Sequence, residues 1–228
     1  MLLETLRRFS KYVTIMKHKI LCIAVHPDDE TLGCGGTLLK HRANGDSISC
    51  LFLTDGNMAQ KEAIPRLKEL FGFDEVYRLD LPDARLDEVP LGKIIPSIAE
   101  VLHKLQPDTL YIPNRSDAHS DHRIAFDAVA ACTKPFRFPF LREILMMEVM
   151  SETDAALNLP ETTFSPNVFV DVTEHFEKKL GIMGIFESEL LPYPLTRNIE
   201  ALKAQARSRG YPVNVEYAEA FMLLRDLR

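Results

Sequence analysis

Two short segments of the chain combine histidines with carboxylates at a density that suits chemistry. The segment His26-Pro27-Asp28-Asp29-Glu30 holds one imidazole and three carboxylates within five residues, and its proline stiffens the turn. The segment Asp117 to His122 adds two histidines three positions apart, with Asp121 between them. Carboxylates this close repel one another, so a cation among them would relieve the repulsion. A solvated acidic turn and a capping histidine are the plainer alternatives.

Together the two clusters supply the donors of a catalytic metal site. A His, an Asp and a second His would serve as three ligands and leave a fourth position open, as in catalytic rather than structural zinc sites. The leftover carboxylates and one leftover histidine would be free for acid/base work beside a metal-bound water. The same donors also accept Fe(II) or Co(II), so the pattern does not select one metal.

The elements that must position these residues follow the pattern of an α/β fold. Apolar runs typical of buried strands alternate with helical patterns as far as Cys132, which predicts βαβ units and a mostly parallel sheet. One predicted strand, Ile20 to Val25, ends directly before the first cluster, and another, Asp108 to Ile112, precedes the second. Ligands of such sheets bind at the carboxyl ends of the strands. The two clusters are therefore expected to meet.

Further elements are predicted on both sides of these strands. Strands are expected at 47–53, 76–81, 144–150 and 168–172, and helices at 37–43, 61–71, 91–105, 122–132, 173–190, 198–209 and 216–227. The last helix is predicted because Tyr217, Ala220, Phe221 and Leu224 have helical spacing. The C-terminal helices are expected to cap the pocket and to contribute to a homo-oligomer, although a core face would explain the pattern equally well.

Length and composition bound the remaining possibilities. A chain of 228 residues, 46% of them hydrophobic, predicts one domain, residues 19–228, behind an amphipathic N-terminal extension, residues 1–18. The net charge of −6 argues against nucleic-acid binding, and an apolar run long enough for a membrane span is missing. The four cysteines form no CxxC pair, and no signal peptide is recognisable, so a cytoplasmic protein is expected.

The motif AVHPDDETLGCGGTLLKH, together with AHSDH at residues 118–122, resembles the PIG-L/LmbE-like family of zinc-dependent N-acetylglucosaminyl deacetylases. The similarity covers nearly everything from Lys19 onward, and the tail RSRGYPVNVEYAEAF is similar to the branch that acts on sugars and bacillithiol-type substrates. The resemblance implies a three-layer, Rossmann-like fold in which helices flank a mostly parallel sheet. It also implies one Zn²⁺ per chain.

The resemblance further implies a role for each residue of the two clusters. Asp28 would be the general base that takes a proton from the zinc-bound water. His119, as an imidazolium, would stabilise the oxyanion and help to protonate the leaving amine, while Asp121 would orient His119. The zinc ligands would be His26, Asp29 and His122.

One departure from the family pattern concerns the sugar site. Members that bind N-acetylglucosaminides often carry an R-x-x-E element, which is here Ala59-Gln60-Lys61-Glu62 and lacks the arginine. Arg85 or Arg197 is a candidate replacement for the lost guanidinium. The expected substrate-binding residues are Asp55, Asp83, Glu148 and Arg197.

The sequence therefore predicts a zinc-dependent hydrolase that removes an N-acetyl group from an amino sugar or sugar conjugate, with a small-molecule N-acetylated sugar as its partner. One alternative is a zinc amide hydrolase that acts on a non-sugar or differently acylated amine. A non-catalytic binding protein on a decayed enzyme scaffold is a further alternative. It is disfavoured because the expected ligands and base are all present.

Overall fold

The computed structural model describes residues 17–157 and 159–228, so the predicted N-terminal extension lies almost wholly outside the described residues. The strands are β1 (Lys19–Ala24), β2 (Ser47–Thr54), β3 (Glu75–Leu81), β4 (Thr109–Ile112), β5 (Glu143–Met147), β6 (Val168–Asp171) and β7 (Ala218–Asp226). The helices are α1 (Asp29–Asn44), α2 (Met58–Phe71), α3 (Leu91–Leu105), α4 (Ser120–Ala131), α5 (Phe176–Met183) and α6 (Ile199–Gly210). Among the described residues, no helix combines the length and apolarity that crossing a membrane requires.

The strands form one mostly parallel sheet in the order β3-β2-β1-β4-β5-β7-β6. Strands β1 to β5 pair in parallel, and β7 runs antiparallel between β5 and β6. From β1 the chain builds outward through β2 to β3, and then returns through α3 to place β4 on the other side of β1. This reversal opens a crevice between the carboxyl ends of β1 and β4, where open α/β sheets bind ligands.

Helices cover both faces of the sheet. In β1, Ile20, Cys22 and Ala24 face one core cluster with α1, α2, α5 and α6, whereas Leu21 and Ile23 face a second cluster with α3 and α4. Burial on both faces explains why β1 is a continuous apolar run instead of an alternating one. The predicted three-layer α/β fold is confirmed.

Helix α1 begins at Asp29, well before the predicted Thr37, and bends at Cys34, whose φ is −144°. Its glycines allow close packing, since a Cβ on Gly36 would lie 2.7 Å from the Cβ of Val172. The buried Glu219 accepts hydrogen bonds from the backbone N–H groups of Gly36 and Thr37 at the bend. These contacts tie the helix that follows the His26–Glu30 cluster to strand β7.

The predicted helix over 216–227 is wrong, because this segment is strand β7. Phe221 packs against Tyr111 in one core cluster, while the next residue, Met222, packs against the other. Neighbouring side chains face opposite layers only in a strand. The helix predicted over 173–190 is also interrupted, since α5 ends at Met183.

Candidate metal centre and catalytic cavity

The carboxyl ends of β1 and β4 bring His26, Asp29 and His122 together in the crevice. All three are buried, and each offers one ligand atom within 4.8 Å of the others. Asp29 Oδ2 lies 3.4 Å from His122 Nε2 and 3.7 Å from His26 Nδ1. Two imidazoles and one carboxylate in this arrangement can hold a divalent metal ion.

Backbone geometry fixes the carboxylate of this trio. Asp29 is the first residue of α1, and its Oδ2 accepts hydrogen bonds from the N–H groups of Val25, at 3.0 Å, and His26, at 2.8 Å. The turn after β1 therefore folds the Asp29 side chain back towards the strand end. The proline-containing turn and the helix start together set its direction.

Carboxylates contact the outer nitrogens of both histidines. His122 Nδ1 lies 2.8 Å from Asp117 Oδ2, and Asp117 in turn accepts hydrogen bonds from Asn114 and Thr153. His26 Nε2 lies 3.5 Å from Asp121 Oδ2. Such contacts fix ring orientation and increase ligand basicity in metal sites. Asp117 was not among the predicted site residues, although its position five residues before His122, at a helix start, was a usable signal.

Unpaired polar atoms in and around the trio are consistent with a bound metal ion. Seven buried side-chain N or O atoms of the described residues lack a hydrogen-bond partner, and five of them lie in this cluster. Buried polar atoms are rarely left unpaired, because each costs roughly 1–3 kcal/mol. The five are His26 Nε2, Asp28 Oδ1, Asp29 Oδ1, Asp121 Oδ2 and His122 Nε2.

Electrostatics couple Asp29 and His122 strongly. Burial alone would lower the pKa of His122, but the charges of Asp29 and Asp117 outweigh it and raise that pKa to about 10. Burial opposes ionisation of Asp29, yet His122 and His26 hold its pKa well below the usual range. The position between Asp29 and His122 therefore favours a positive charge. That charge is either a proton on His122 or a bound metal ion, and the two compete.

Asp28 stands at the junction of this cluster and an open cavity. Its φ of 143° lies in a region that non-glycine residues rarely adopt, a strain typical of functional sites. Its Oδ2 accepts a hydrogen bond from Arg197 Nη1 at 3.0 Å, while Oδ1 has no partner. Burial and the nearby Asp29 raise the pKa of Asp28 well above its usual value, although Arg197 opposes the rise. A carboxylate with a raised pKa and a free oxygen can accept a proton.

Glu30 lies behind Asp28, away from the cavity. Its carboxylate accepts hydrogen bonds from the Thr31 hydroxyl and the Asp28 N–H, and the residue is fully buried. Burial raises its pKa to about 7. The position of Glu30 suits it to support Asp28 rather than to contact a substrate.

His119 faces the cavity and caps α4. Its ring centroid lies 4.7 Å from that of His26. Its Nδ1 accepts a hydrogen bond from the backbone N–H of Asp121 at 3.1 Å, which leaves Nε2 to carry the proton. Burial and the two neighbouring imidazoles lower its pKa. Both observations favour a neutral ring with an Nε2–H donor, instead of the predicted imidazolium.

The Asp121 side chain does not hydrogen-bond to the His119 ring as expected. Its Oδ1 accepts a hydrogen bond from the Leu86 N–H at 3.0 Å, and Oδ2 faces His26. The link to His119 runs through the Asp121 backbone, because the ring acts as the N-terminal cap of α4. The carboxylate of Asp121 therefore lies beside His26 and not beside the His119 ring.

A cavity of about 390 Å³ opens above Asp28. Such a volume suits a small-molecule ligand. Asp83 reaches it, with Oδ1 3.3 Å from His26 Nε2. The lining residues are His26, Asp28, Asn57, Gln60, Asp83, Ala84, His119, Ser151, Glu152, Ser188, Glu189, Leu191 and Arg197.

Arg197 joins the segments that wall this cavity. Its guanidinium contacts Asp28 at 3.0 Å, Glu152 at 3.1 Å and Glu189 at 3.3 Å, and its Nε donates to the Ser151 hydroxyl. The side chain is only 14% exposed. The arginine is thus held by three carboxylates from three separate parts of the chain.

The structure brings Asp83 and Arg197 to the cavity, but not the other two predicted substrate-binding residues. Asp55 bonds Arg78 through both oxygens and lies 2.7 Å from Lys61 Nζ. Glu148 bonds Arg209 through both oxygens and borders a separate cavity. In both cases local cations engage the carboxylate. Arg85, the alternative replacement guanidinium, is exposed and faces Glu88 instead.

Comparisons with known proteins agree with this geometry. Residues 21–133 match the PIG-L family model, GlcNAc-PI de-N-acetylase. The chain is 29% identical to the diacetylchitobiose deacetylase of Thermococcus kodakarensis over 90% of this chain and 85% of that protein. A conserved protein of Thermus thermophilus superposes with a TM-score of 0.72 at 27% identity, covering 90% of this chain and 94% of that one. The N,N'-diacetylchitobiose deacetylase of Pyrococcus horikoshii has the same fold, with a TM-score of 0.71 at 22% identity over 98% of this chain and 91% of that one.

The family match runs from within β1 to just past the end of α4 and so contains both clusters. The resemblance to the PIG-L/LmbE-like family that the two motifs predicted is confirmed.

Proposed function

We propose that this protein is a zinc-dependent N-deacetylase that hydrolyses the acetamide of an N-acetylated amino sugar and releases acetate and a free amine. The observation that carries the proposal is the buried trio His26, Asp29 and His122 beside the free Oδ1 of Asp28, at the floor of a ligand-sized cavity. The sugar class is supported by the named relatives, which deacetylate diacetylchitobiose.

The metal would be held by His26, Asp29 and His122, a donor set that suits zinc. When bound, a divalent ion there supplies Lewis-acid chemistry, since it lowers the pKa of a coordinated water and polarises a carbonyl. Asp117 orients His122 through Nδ1, and Asp121 lies 3.5 Å from His26 Nε2.

Asp28 acts as the general base in this proposal. Its Oδ1 accepts a proton from the attacking water, while Arg197 holds Oδ2 in place. The raised pKa of Asp28 brings its basicity nearer to neutral pH, where proton transfer is most effective.

His119 acts as the hydrogen-bond donor on the cavity side. Its Nδ1 is engaged by a backbone N–H, so Nε2–H is the group that can stabilise the developing oxyanion. Asp28, once protonated, can return the proton to the departing amine, whereas the lowered pKa of His119 favours a neutral ring there.

The experiment is acetate release from N,N'-diacetylchitobiose by the purified protein, with metal content measured on the same sample. We expect about one equivalent of zinc per chain, loss of turnover after chelation and recovery on addition of zinc. Full activity in a metal-free preparation would contradict the proposal. Release of longer acyl chains in preference to acetate would favour an amide hydrolase of different specificity.

A further inference from the structure

The cavity wall is strongly acidic. Among the described residues that line the cavity, four carry carboxylates, Asp28, Asp83, Glu152 and Glu189, and Arg197 is the one arginine or lysine. The guanidinium of Arg197 lies within 3.3 Å of three of these carboxylates, and its Nε donates to Ser151. The single positive charge of Arg197 is therefore outnumbered by the carboxylates around it.

Nearby cations do not compensate for this charge. Lys61 is 2.7 Å from Asp55, and the exposed Arg85 faces Glu88; neither lines the cavity. Further carboxylates, which do not line the cavity, lie beside His26 and His122, at Asp29, Asp117 and Asp121. A divalent ion and Arg197 would together offset three charges of this set of seven carboxylates, so the cavity stays negative with a metal bound.

We propose that the cavity selects N-acetylated amino sugars whose other groups are uncharged or carry an ammonium, and rejects conjugates that carry a phosphate or carboxylate. The inference rests on the proposed deacetylation and names its substrate class. Sugar hydroxyls donate hydrogen bonds to carboxylates, and Asp83 is sufficiently exposed to accept them. A phosphate or carboxylate substituent would instead lose its hydration next to carboxylates of the same charge. No unpaired cation lines the described cavity to compensate for this loss.

The charges of the products are consistent with this selectivity. Hydrolysis breaks the amide C–N bond, transfers the water oxygen to the acetyl carbon to give acetate, and leaves an amine that takes up a proton. The acidic cavity repels the acetate and attracts the ammonium. A sugar that already carries one free amine beside an N-acetyl group should therefore bind at least as well as its fully acetylated form.

The test compares N-acetylglucosamine with N-acetylglucosamine 6-phosphate on the zinc-loaded enzyme. We expect kcat/KM for the phosphate ester to be lower by at least about tenfold at low ionic strength, with the difference shrinking as salt is added. Equal or faster turnover of the phosphate ester would overturn the proposal.

A matched pair of variants separates local charge from net charge. Glu189→Lys changes the cavity wall, whereas Glu187→Lys makes the same change in net charge at an exposed residue of the same turn, outside the cavity. The preference is the ratio of kcat/KM for N-acetylglucosamine to kcat/KM for its 6-phosphate. We expect only Glu189→Lys to lower this ratio, by about threefold or more. Glu189→Gln should lower the ratio less. This variant shows how much of the effect comes from losing the ion pair with Arg197. An equal shift in both lysine variants would overturn the proposal.

Binding is measured in parallel so that the two proposals fail separately. The same two sugars are titrated into zinc-loaded protein and followed by protein-observed NMR. Absence of acetate release from every sugar would reject the deacetylase, whereas tighter binding of the phosphate ester than of the neutral sugar would reject the charge selectivity. Weaker binding of the phosphate ester would support the selectivity even in a protein without turnover.

Discussion

The site is built from two regions that are held together by different forces. The floor, defined as His26, Asp29, Asp117 and His122, is buried, and backbone N–H groups and an aspartate fix its side chains. The wall, defined as Ser151, Glu152, Glu189 and Arg197, is partly exposed, and ion pairs through one guanidinium hold it together. The floor can thus hold a metal ion independently of the wall. The wall instead sets the charge of the cavity, access to it and the environment of Asp28.

The largest effect is expected from breaking the floor at His122. His122→Ala removes a proposed ligand and leaves the buried carboxylates of Asp29 and Asp117 without their imidazole partner. We expect loss of bound zinc and a fall in activity of at least about 10³-fold, because metal-assisted water activation is lost. Metal analysis and acetate assays measure both quantities. His103→Ala, at an exposed histidine stacked on Phe138, is the control and should retain both.

A smaller loss is expected at Asp117, which supports the floor without binding the metal itself. Asp117→Asn weakens the contact to His122 Nδ1, so we expect zinc affinity to fall about 10–100-fold while saturating zinc restores most activity. Competition with a zinc indicator gives the affinity. Asp127→Asn, at an exposed site on α4, should not change it. Unchanged zinc affinity in Asp117→Asn would contradict the claim that Asp117 supports His122 as a ligand.

The wall should affect proton transfer rather than metal content. Burial raises the pKa of Asp28 and Arg197 lowers it, so Arg197→Met should raise it further. A base works only when deprotonated, and therefore the acidic limb of the kcat/KM profile should move to higher pH. We expect about tenfold lower kcat/KM at neutral pH with zinc retained, a smaller loss than removal of the base itself.

The control for the wall is Arg207→Met, at an arginine that stacks on Tyr217 outside the cavity. Its pH profile should match that of the wild type. An unshifted acidic limb in Arg197→Met, or a shift to lower pH, would contradict the influence assigned to the wall.

The smallest effect on chemistry is expected at the bend of α1, which packs against Val172 and hydrogen-bonds to Glu219. A Cβ on Gly36 would lie 2.7 Å from Val172 Cβ, so Gly36→Ala should lower the free energy of unfolding by about 1–3 kcal/mol. Gly92→Ala meets no atom within 4 Å near the start of α3 and should be neutral or slightly stabilising. Urea unfolding of both variants tests the difference. Equal stability would show that the bend tolerates a side chain.

The floor was predictable from the sequence because its residues lie in two local motifs at strand ends. Strand β1 is buried on both faces and strand β4 is fully buried, so apolar runs marked where both end, and the topology of parallel sheets brings such ends together. Side chains that face each other across the crevice, such as Asp29 and His122, could then be grouped as metal ligands from their residue types alone.

The wall was less predictable, because its contacts join distant residues. The Asp28–Arg197 pair spans 169 positions, and no local pattern indicates it. Strand β7 was missed for a related reason. Its partners β5 and β6 are remote in sequence, and its burial on both faces produced an apolar spacing that imitates a helix. Asp55 and Glu148 were misplaced because their cationic partners lie on other segments.

Asp28 joins the floor to the wall, and its substitution by asparagine tests the proposed chemistry most directly. Asp28→Asn is close to isosteric, leaves the three proposed ligands untouched, and removes both the ability of the side chain to accept a proton and its charge pairing with Arg197. Zinc content and acetate release are measured on the same preparation. We predict about one zinc per chain with turnover reduced at least about 100-fold. Turnover within a few-fold of wild type at full zinc occupancy would contradict Asp28 as the general base.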